Sequence, residues 1–255
     1  MLSLNRNECP DNFFLERNRE DLIRMAGTFP GFLKETMHTE LKLTEDGSHT
    51  LFVPEIDECY HSTHGAIQES RHIFMEAGLN QCLKPEISVL EIGFGTGLNA
   101  FLTLLESERS GKKIRYTSLE LYPVGVEQAL LLNYPAEMAP DKKYLFDKLH
   151  TSPWNEAIEI TPDFLLKKIE TDFTGYIFEG NFDVVYFDAF SPEKQPEMWS
   201  NELFEKIYSH CNAGSILTTY CAKGIVRRAM QEAGFVVERL PGPPGKREIL
   251  RSLKV

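Results

Sequence analysis

The sequence predicts an α/β chain built on a doubly wound sheet, with a β-hairpin ahead of it. Three observations carry this. Residues 89–99, V-L-E-I-G-F-G-T-G-L-N, pass from an apolar run through three glycines into a second apolar stretch at helical spacing. That is the pattern of strand, tight turn and helix. From residue 87 onward strand and helix signals alternate, as they do where helices cover both faces of a parallel sheet. The run F-D-V-V-Y-F-D at 182–188 is almost continuously apolar, which suits a strand buried on both faces.

The elements follow in order. Residues 1–36 form a segment of unknown role, in which N-R-E-D-L-I-R-M suits a short helix and F-P-G-F a turn. Residues 37–84 read as a hairpin and helix extension. H-T-E-L-K-L-T and H-T-L-F-V flank E-D-G-S, a hairpin signal, and 64–83 place Ile67, Ile73, Phe74, Ala77 and Leu79 for burial on a helix. Residues 85–255 form the Rossmann-like domain. I-S-V-L-E-I and I-R-Y-T-S-L-E-L are its first strands, each followed by a helix, N-A-F-L-T-L-L-E and V-G-V-E-Q-A-L-L-L. Residues 135–182 are expected to be irregular, with apolar segments at A-I-E-I and F-L-L-K-K-I. After the strand at 182–188 come the helix N-E-L-F-E-K-I-Y, the strand S-I-L-T-T-Y and the helix V-R-R-A-M-Q-E-A, closed by Gly234. F-V-V-E-R-L and K-R-E-I-L-R-S-L end the chain as strands.

Composition narrows the function. The net charge of −11 argues against a general nucleic-acid binder, but the balance reverses from Lys223 onward, where Lys223, Arg227, Arg228, Arg239, Lys246, Arg247, Arg251 and Lys254 face three glutamates. That stretch is either a basic docking face or a solvated helix face with a strand end. The five cysteines are scattered and none forms C-x-x-C, so no metal site and no disulfide framework is expected. No apolar run approaches a membrane span, and the first residues lack the apolar core of a signal peptide. A cytoplasmic location is expected.

Chemistry is expected at the carboxyl ends of the strands, where doubly wound sheets bind ligands. The first strand ends in Gly93, Gly95 and Gly97, with Glu91 two residues ahead. A dinucleotide fingerprint would need its third glycine at position 98, which is Leu98. Acid followed by G-x-G-x-G instead resembles the first motif of class I S-adenosylmethionine-dependent methyltransferases. The second strand ends in Glu120, where a carboxylate can accept both hydroxyls of a ribose. Asp172 follows the third apolar strand, where an acid can take the exocyclic amine of adenine or merely solvate a turn. The strand at 182–188 ends in D-A-F-S-P, so Asp188 is the candidate reaction centre, with Phe190 beside a planar substrate and Pro192 keeping the backbone extended.

With these residues in place the chain resembles the methyltransferase half of the MnmC family of tRNA-modification proteins over about residues 57–252. The carrying segments are F-D-V-V-Y-F-D-A-F-S-P-E-K-Q-P-E-M-W, G-I-V-R-R-A-M-Q-E-A-G-F, K-R-E-I-L and Y-H-S-T-H-G-A-I-Q-E-S. The resemblance implies methyl transfer from S-adenosyl-L-methionine to the aminomethyl group of 5-aminomethyl-(2-thio)uridine at the tRNA wobble position. It implies that Glu91, Gly93, Gly95, Gly97, Leu98 and Asn99 line the cofactor turn, Glu120 holds the ribose, and Asp172 lies near the adenine. Tyr60, Glu69 and Ser70 would close the cofactor side. Asp188 would face the amine, Phe190 and Pro192 would shape the uridine pocket, and Lys246 and Arg247 would face the tRNA or the pocket rim. Arg227 and Arg228 are the candidate tRNA contacts on the basic stretch. Ala189 departs from the glycine of the larger relatives, which tightens the pocket. With no second glycine fingerprint, the chain is expected to be a methyltransferase alone, with no metal and no membrane partner, supplied with the free amine by a separate enzyme. Two other readings stay open: a small-molecule amine transferase of the spermidine-synthase type, and a non-catalytic RNA-binding module.

Overall fold

A computed structural model describes residues 38–255; the expectations for residues 1–36 lie outside them. Strands β1 (Glu40–Leu43), β2 (His49–Val53) and β3 (Glu58–Cys59) form a small antiparallel sheet. The E-D-G-S turn closes its first hairpin. The Asp46 carboxylate accepts from Ser48 N–H at 3.0 Å and from Gln68 N–H at 3.0 Å, which ties the turn to the helix that follows.

The large sheet holds β4 (Glu86–Ile92), β5 (Lys113–Glu120), β6 (Ala157–Thr161), β7 (Phe164–Glu170), β8 (Phe182–Phe187), β9 (Cys211–Thr219), β10 (Val236–Pro241) and β11 (Glu248–Leu253). Their spatial order is β10-β11-β9-β8-β4-β5-β7-β6. The five central strands are parallel; β6 and β11 run against them at the two sides, and β10 pairs antiparallel with β11 at the outer edge. The chain moves outward from β4 through β5 to β7, then returns to β8 on the other side of β4. The switch in strand order therefore lies between β4 and β8, with Ile92 paired to Phe187 at its mouth.

Alternation along the strands divides the core. Val89, Tyr116, Val184 and Tyr186 face one side, together with Leu51 and Phe74 of the extension and Phe101 and Phe146 of the covering helices. Leu90, Ile92, Val185 and Phe187 face the other, against Trp199, Phe204 and Met230. Phe187, fully buried, contributes roughly 1.5–3 kcal/mol by leaving water.

Three local expectations are corrected. Residues 124–132 make only a one-turn helix, Val126–Ala129, between Pro123 with Gly125 on one side and the Asn133–Tyr134–Pro135 corner on the other. The stretch expected to be irregular holds the helices Tyr134–Met138 and Lys143–Thr151, with Leu145, Phe146, Leu149 and His150 buried on one face. Its charged outer face diluted the apolar pattern. The helix at 64–83 is an α-turn, Ala66–Ser70, then a wider π-turn, Arg71–Glu76, then a 3-10 turn, Leu79–Gln81.

At the opposite end of the sheet from the switch-point mouth, Asp183 fixes the base of β8. It accepts from Lys84 Nζ at 2.6 Å, Ser88 N–H at 2.9 Å and Asn212 Nδ2 at 2.7 Å. Burial alone would raise its pKa, but these bonds outweigh burial and hold it below the usual value. A depressed carboxyl stabilises the fold above its unfolded pKa and loses that contribution as pH falls through the folded one. Asp183→Ala is expected to cost about 1–3 kcal/mol in urea unfolding at pH 7, because it removes a buried acceptor from three partly exposed donors. The difference should shrink in the acid range below pH 4.

Candidate functional site

The carboxyl ends of β4, β5 and β8 converge on one crevice. Gly93 leaves β4 at φ +92, and its N–H donates to Leu119 O at 2.9 Å. A Cβ on Gly93 would stand 2.7 Å from Asp188 O, so the glycine turn and the end of β8 touch backbone to backbone. The turn then feeds the helix Leu98–Ser110. Glu120 at the end of β5 closes on this turn, accepting from Gly95 N–H at 3.0 Å and Tyr122 N–H at 2.8 Å. Burial raises its pKa and these backbone donors oppose the rise. Each carboxylate oxygen keeps acceptor capacity for a diol.

Asp188 is half-buried, and its Oδ2 accepts from Asn99 Nδ2 at 2.8 Å. Burial pushes its pKa up to about 7; Glu69 adds to the rise, while Asn99 and Lys246 oppose it. Lys246 pairs with Glu69 at 3.1 Å and lies over the Tyr220 ring, 4.8 Å from its centroid. Tyr220 in turn donates to Ala189 O at 2.9 Å. The segment after Asp188 is pinned by Trp199 Nε1 donating to Phe190 O at 2.8 Å and by Ser191, whose N–H and hydroxyl donate to Glu58 at 3.2 and 3.1 Å. Tyr60 meets Phe190 edge-on, with centroids 5.1 Å apart, and its ring covers Gly95.

The structure thus brings Tyr60, Glu69, Glu91, the glycine turn, Leu98, Asn99, Glu120, Asp188 and Phe190 to one end of the sheet. Ser70 is buried beside Glu69, which also accepts from Ser62 N–H at 2.8 Å. Pro192 is half-buried in the segment after Phe190. Asp172 is exposed and accepts from Thr174 N–H and hydroxyl of its own turn at 2.8 and 2.7 Å. It lies beyond the mouth, one residue after Thr171, whose N–H donates to Glu120 O. The basic stretch is largely neutralised. Lys223 pairs with Glu193, Arg239 with Glu248 and Arg251 with Glu238, while Lys254 donates to Tyr208 and Cys211 carbonyls. Among the described residues Arg227, Arg228 and Arg247 have no carboxylate within ion-pair distance, and Arg228 and Arg247 are exposed.

Several contributors escaped the sequence reading. His61 Nε2 lies 2.7 Å from Thr96 Oγ1 and His150 Nε2 lies 3.1 Å from Thr96 O, so two histidines grip the glycine turn from beneath. Burial pushes their pKa values down to about 4 and about 3, which keeps both neutral. Lys168 donates to His150 O at 3.0 Å and sits over Trp154 and Phe94, with burial lowering its pKa to about 8. His61 stands in the Y-H-S-T-H segment, but neither His150 nor Lys168 carries a local signal.

Residues 143–255 match a family of S-adenosyl-L-methionine-dependent methyltransferases. The tRNA 5-methylaminomethyl-2-thiouridine biosynthesis bifunctional protein MnmC of Cupriavidus metallidurans is 31% identical over 225 residues, covering 81% of this chain and 32% of that protein. MnmC of Magnetococcus marinus is 31% identical over 224 residues, covering 80% and 32%. Over about four-fifths of its length the chain is similar to these MnmC proteins. It spans about a third of the length of these MnmC relatives. The crystal structure of MnmC2 from Aquifex aeolicus shares the fold, with a TM-score of 0.70 and 23% identity over 92% of this chain and 81% of that one. A spermidine synthase from Thermotoga maritima reaches a TM-score of 0.50 at 10% identity, over 90% and 83% of the chains. The chain therefore has the Rossmann-like methyltransferase fold, and the family matched by residues 143–255 names S-adenosyl-L-methionine as the cofactor. Its residues fit that group: a glycine turn too close for side chains, an acid tied to that turn, and a second acid facing the switch point. Among the described residues no helix is long and apolar enough to cross a membrane, and no cluster of three His, Cys, Asp or Glu could hold a metal.

Proposed function

We propose that the chain methylates the aminomethyl group of 5-aminomethyl-(2-thio)uridine at the tRNA wobble position. The observation that carries this reading is Asp188, a half-buried carboxyl beside the glycine turn whose pKa lies at about 7. Bound S-adenosyl-L-methionine supplies an electrophilic methyl group. Gly93, Gly95, Gly97, Leu98, Asn99 and Glu120 would hold it, with Asp172 toward the base. The accepting nitrogen must be neutral, whereas a free alkylamine is protonated near pH 7. A carboxylate titrating near the working pH is a far better proton acceptor than an ordinary one. Asn99 holds Asp188 Oδ2, leaving Oδ1 for the amine. Tyr60 and Phe190 offer aromatic surface to a splayed-out pyrimidine.

The tRNA would reach this crevice over Arg227, Arg228 and Arg247, three cations of the basic stretch with no carboxylate partner among the described residues. Changing Arg227 and Arg228 to Glu is expected to weaken tRNA binding by about tenfold to a hundredfold at moderate salt and to flatten its salt dependence. Cofactor affinity measured by calorimetry should stay the same. An unchanged tRNA affinity would remove this face from the reading. A separate enzyme in the same cytoplasm would supply the free amine.

The direct test is incubation with labelled S-adenosyl-L-methionine and tRNA carrying 5-aminomethyl-uridine, followed by nucleoside analysis. Label in the methylaminomethyl nucleoside is the expected result. Label only in a polyamine or another small amine would overturn the reading.

A further inference from the structure

The loop that leaves β8 is held in part by its own domain. Ala189 O accepts from the Tyr220 hydroxyl at 2.9 Å, and Phe190 O accepts from Trp199 Nε1 at 2.8 Å. Ser191 O accepts from the N–H groups of Lys194 and Gln195 at 2.8 and 2.9 Å. The remaining hold comes from the hairpin extension. Glu58, half-buried in β3, offers both carboxylate oxygens to Ser191. Its Oε1 accepts from the Ser191 N–H at 3.2 Å and its Oε2 from the hydroxyl at 3.1 Å. Bonds to an ionised acceptor are stronger than neutral ones. Tyr60 continues the pairing of β3 with β2, donating its N–H to Leu51 O at 2.9 Å, so it points to the same side as Glu58. Its ring meets Phe190 and covers Gly95. Alternate residues of one strand thus grip consecutive residues of a loop, with Glu58 and Ser191 lying 133 positions apart. Asp188 is held separately, by its N–H to Ile92 O at 3.0 Å and by Asn99. Freeing Ser191 would therefore loosen Phe190 and leave the acid in place.

We propose that Glu58 is a positioning residue for the accepting base: its clamp on Ser191 sets Phe190 against Tyr60 and so fixes the aromatic wall on which the base lies. The extension then builds one wall of the acceptor pocket. This deepens the function proposed above and rests on it, since that reading supplies a planar base as acceptor. A base free to tilt presents its amine off the line of methyl transfer, and small displacements of a reacting atom cost large factors in rate. Affinity for tRNA comes largely from phosphate contacts, which a carboxylate does not make. Loss of Glu58 should therefore appear in kcat and not in binding.

Amide hydrogen exchange of the purified protein, without tRNA, tests the clamp. In Glu58→Ala the amides of Phe190 and Ser191 should exchange about tenfold faster or more, while residues 93–99 keep their wild-type rates. Glu58→Gln keeps an acceptor for the Ser191 N–H and can donate to its hydroxyl, so exchange should stay within about threefold of wild type. Steady-state rates with tRNA carrying 5-aminomethyl-uridine test the positioning. Glu58→Ala should lower kcat by about 10- to 100-fold and leave Kd for tRNA and for S-adenosyl-L-methionine within about threefold. Glu58→Gln should restore kcat to within about threefold of wild type. Adding Ser191→Ala to Glu58→Ala should cost less than about twofold more, because the two substitutions remove one shared contact. Unchanged exchange in Glu58→Ala overturns the proposal even if tRNA methylation is confirmed. So does a kcat in Glu58→Gln as low as in Glu58→Ala, which would mean that the charge acts on the substrate itself. An equal fall in cofactor affinity also overturns it, as a general loss of structure. Faster exchange in Glu58→Ala with no tRNA methylation by the wild type would instead sink the proposed function alone, and kcat would then be compared on the amine that takes the label. Glu58→Leu, which fills a similar volume without an acceptor, replaces Glu58→Ala if that variant does not fold.

Discussion

Asp188→Asn is expected to lower kcat by about 100- to 10,000-fold while leaving the affinity for S-adenosyl-L-methionine within about threefold of wild type. The amide keeps the shape of the carboxyl and can still accept from Asn99, so the end of β8 should not move. What disappears is the capacity to take a proton from the incoming ammonium. The wild-type rate should rise with pH through a limb near 7, the pKa to which burial pushes Asp188, because only the ionised form accepts a proton. That limb should vanish in the variant. Stability should move in the opposite direction. A carboxyl whose folded pKa is raised destabilises the fold once it ionises, in this case as pH climbs from about 4 through about 7. Asp188→Asn should therefore melt at a higher temperature than wild type at pH 8, the exchange expected of a strained functional site. A variant with wild-type kcat, or one that fails to bind the cofactor, would remove Asp188 from the chemistry.

The second large effect is expected at Gly93. Gly93→Ala asks an L-residue to adopt φ +92 and drives its Cβ to 2.7 Å from the Asp188 carbonyl, a backbone atom that cannot swing aside. Strain of this kind costs about 1–3 kcal/mol where the fold survives it. The functional loss should be larger, because the collision lies between the cofactor turn and the acid that follows β8. Cofactor affinity is expected to fall by about a hundredfold or more, roughly 2.7 kcal/mol. Gly111→Ala is the matched control. That glycine also has a positive φ, +70, but a Cβ there would meet nothing within 4 Å. It should cost only about 1 kcal/mol of stability and leave cofactor binding unchanged. Equal losses of affinity in the two variants would mean that backbone strain alone, not the approach to Asp188, explains Gly93.

Much of the site was legible because its signals are local. The glycine turn, the acid ahead of it and the apolar runs around it lie within a dozen residues, and each feature constrains the backbone directly. The acids ending β5 and β8 could be picked out because strand ends are readable from apolar runs. The helix Lys143–Thr151 was not legible, since Lys143, Asp147 and Lys148 break the apolar pattern that burial of Leu145, Phe146 and Leu149 later explains. His150 could not be found for the same reason: its contact with Thr96 joins residues 54 positions apart. The basic run after Lys223 was visible as a run. Which of its members lack a carboxylate partner emerged only when Glu193, Glu69, Glu238 and Glu248 were folded against the rest.

The amino-acid order alone determined the fold class, the turn after β4 and the acids at three strand ends, because periodicity and glycine placement act over a few residues. Only the packed chain decided what surrounds each acid. Asn99 and Asp188 stand 89 positions apart and meet because β4 and β8 are neighbours at the switch in strand order. Burial at that junction arises only when the strands and helices pack, and a carboxyl's charge state depends on the water around it, which no stretch of sequence specifies by itself.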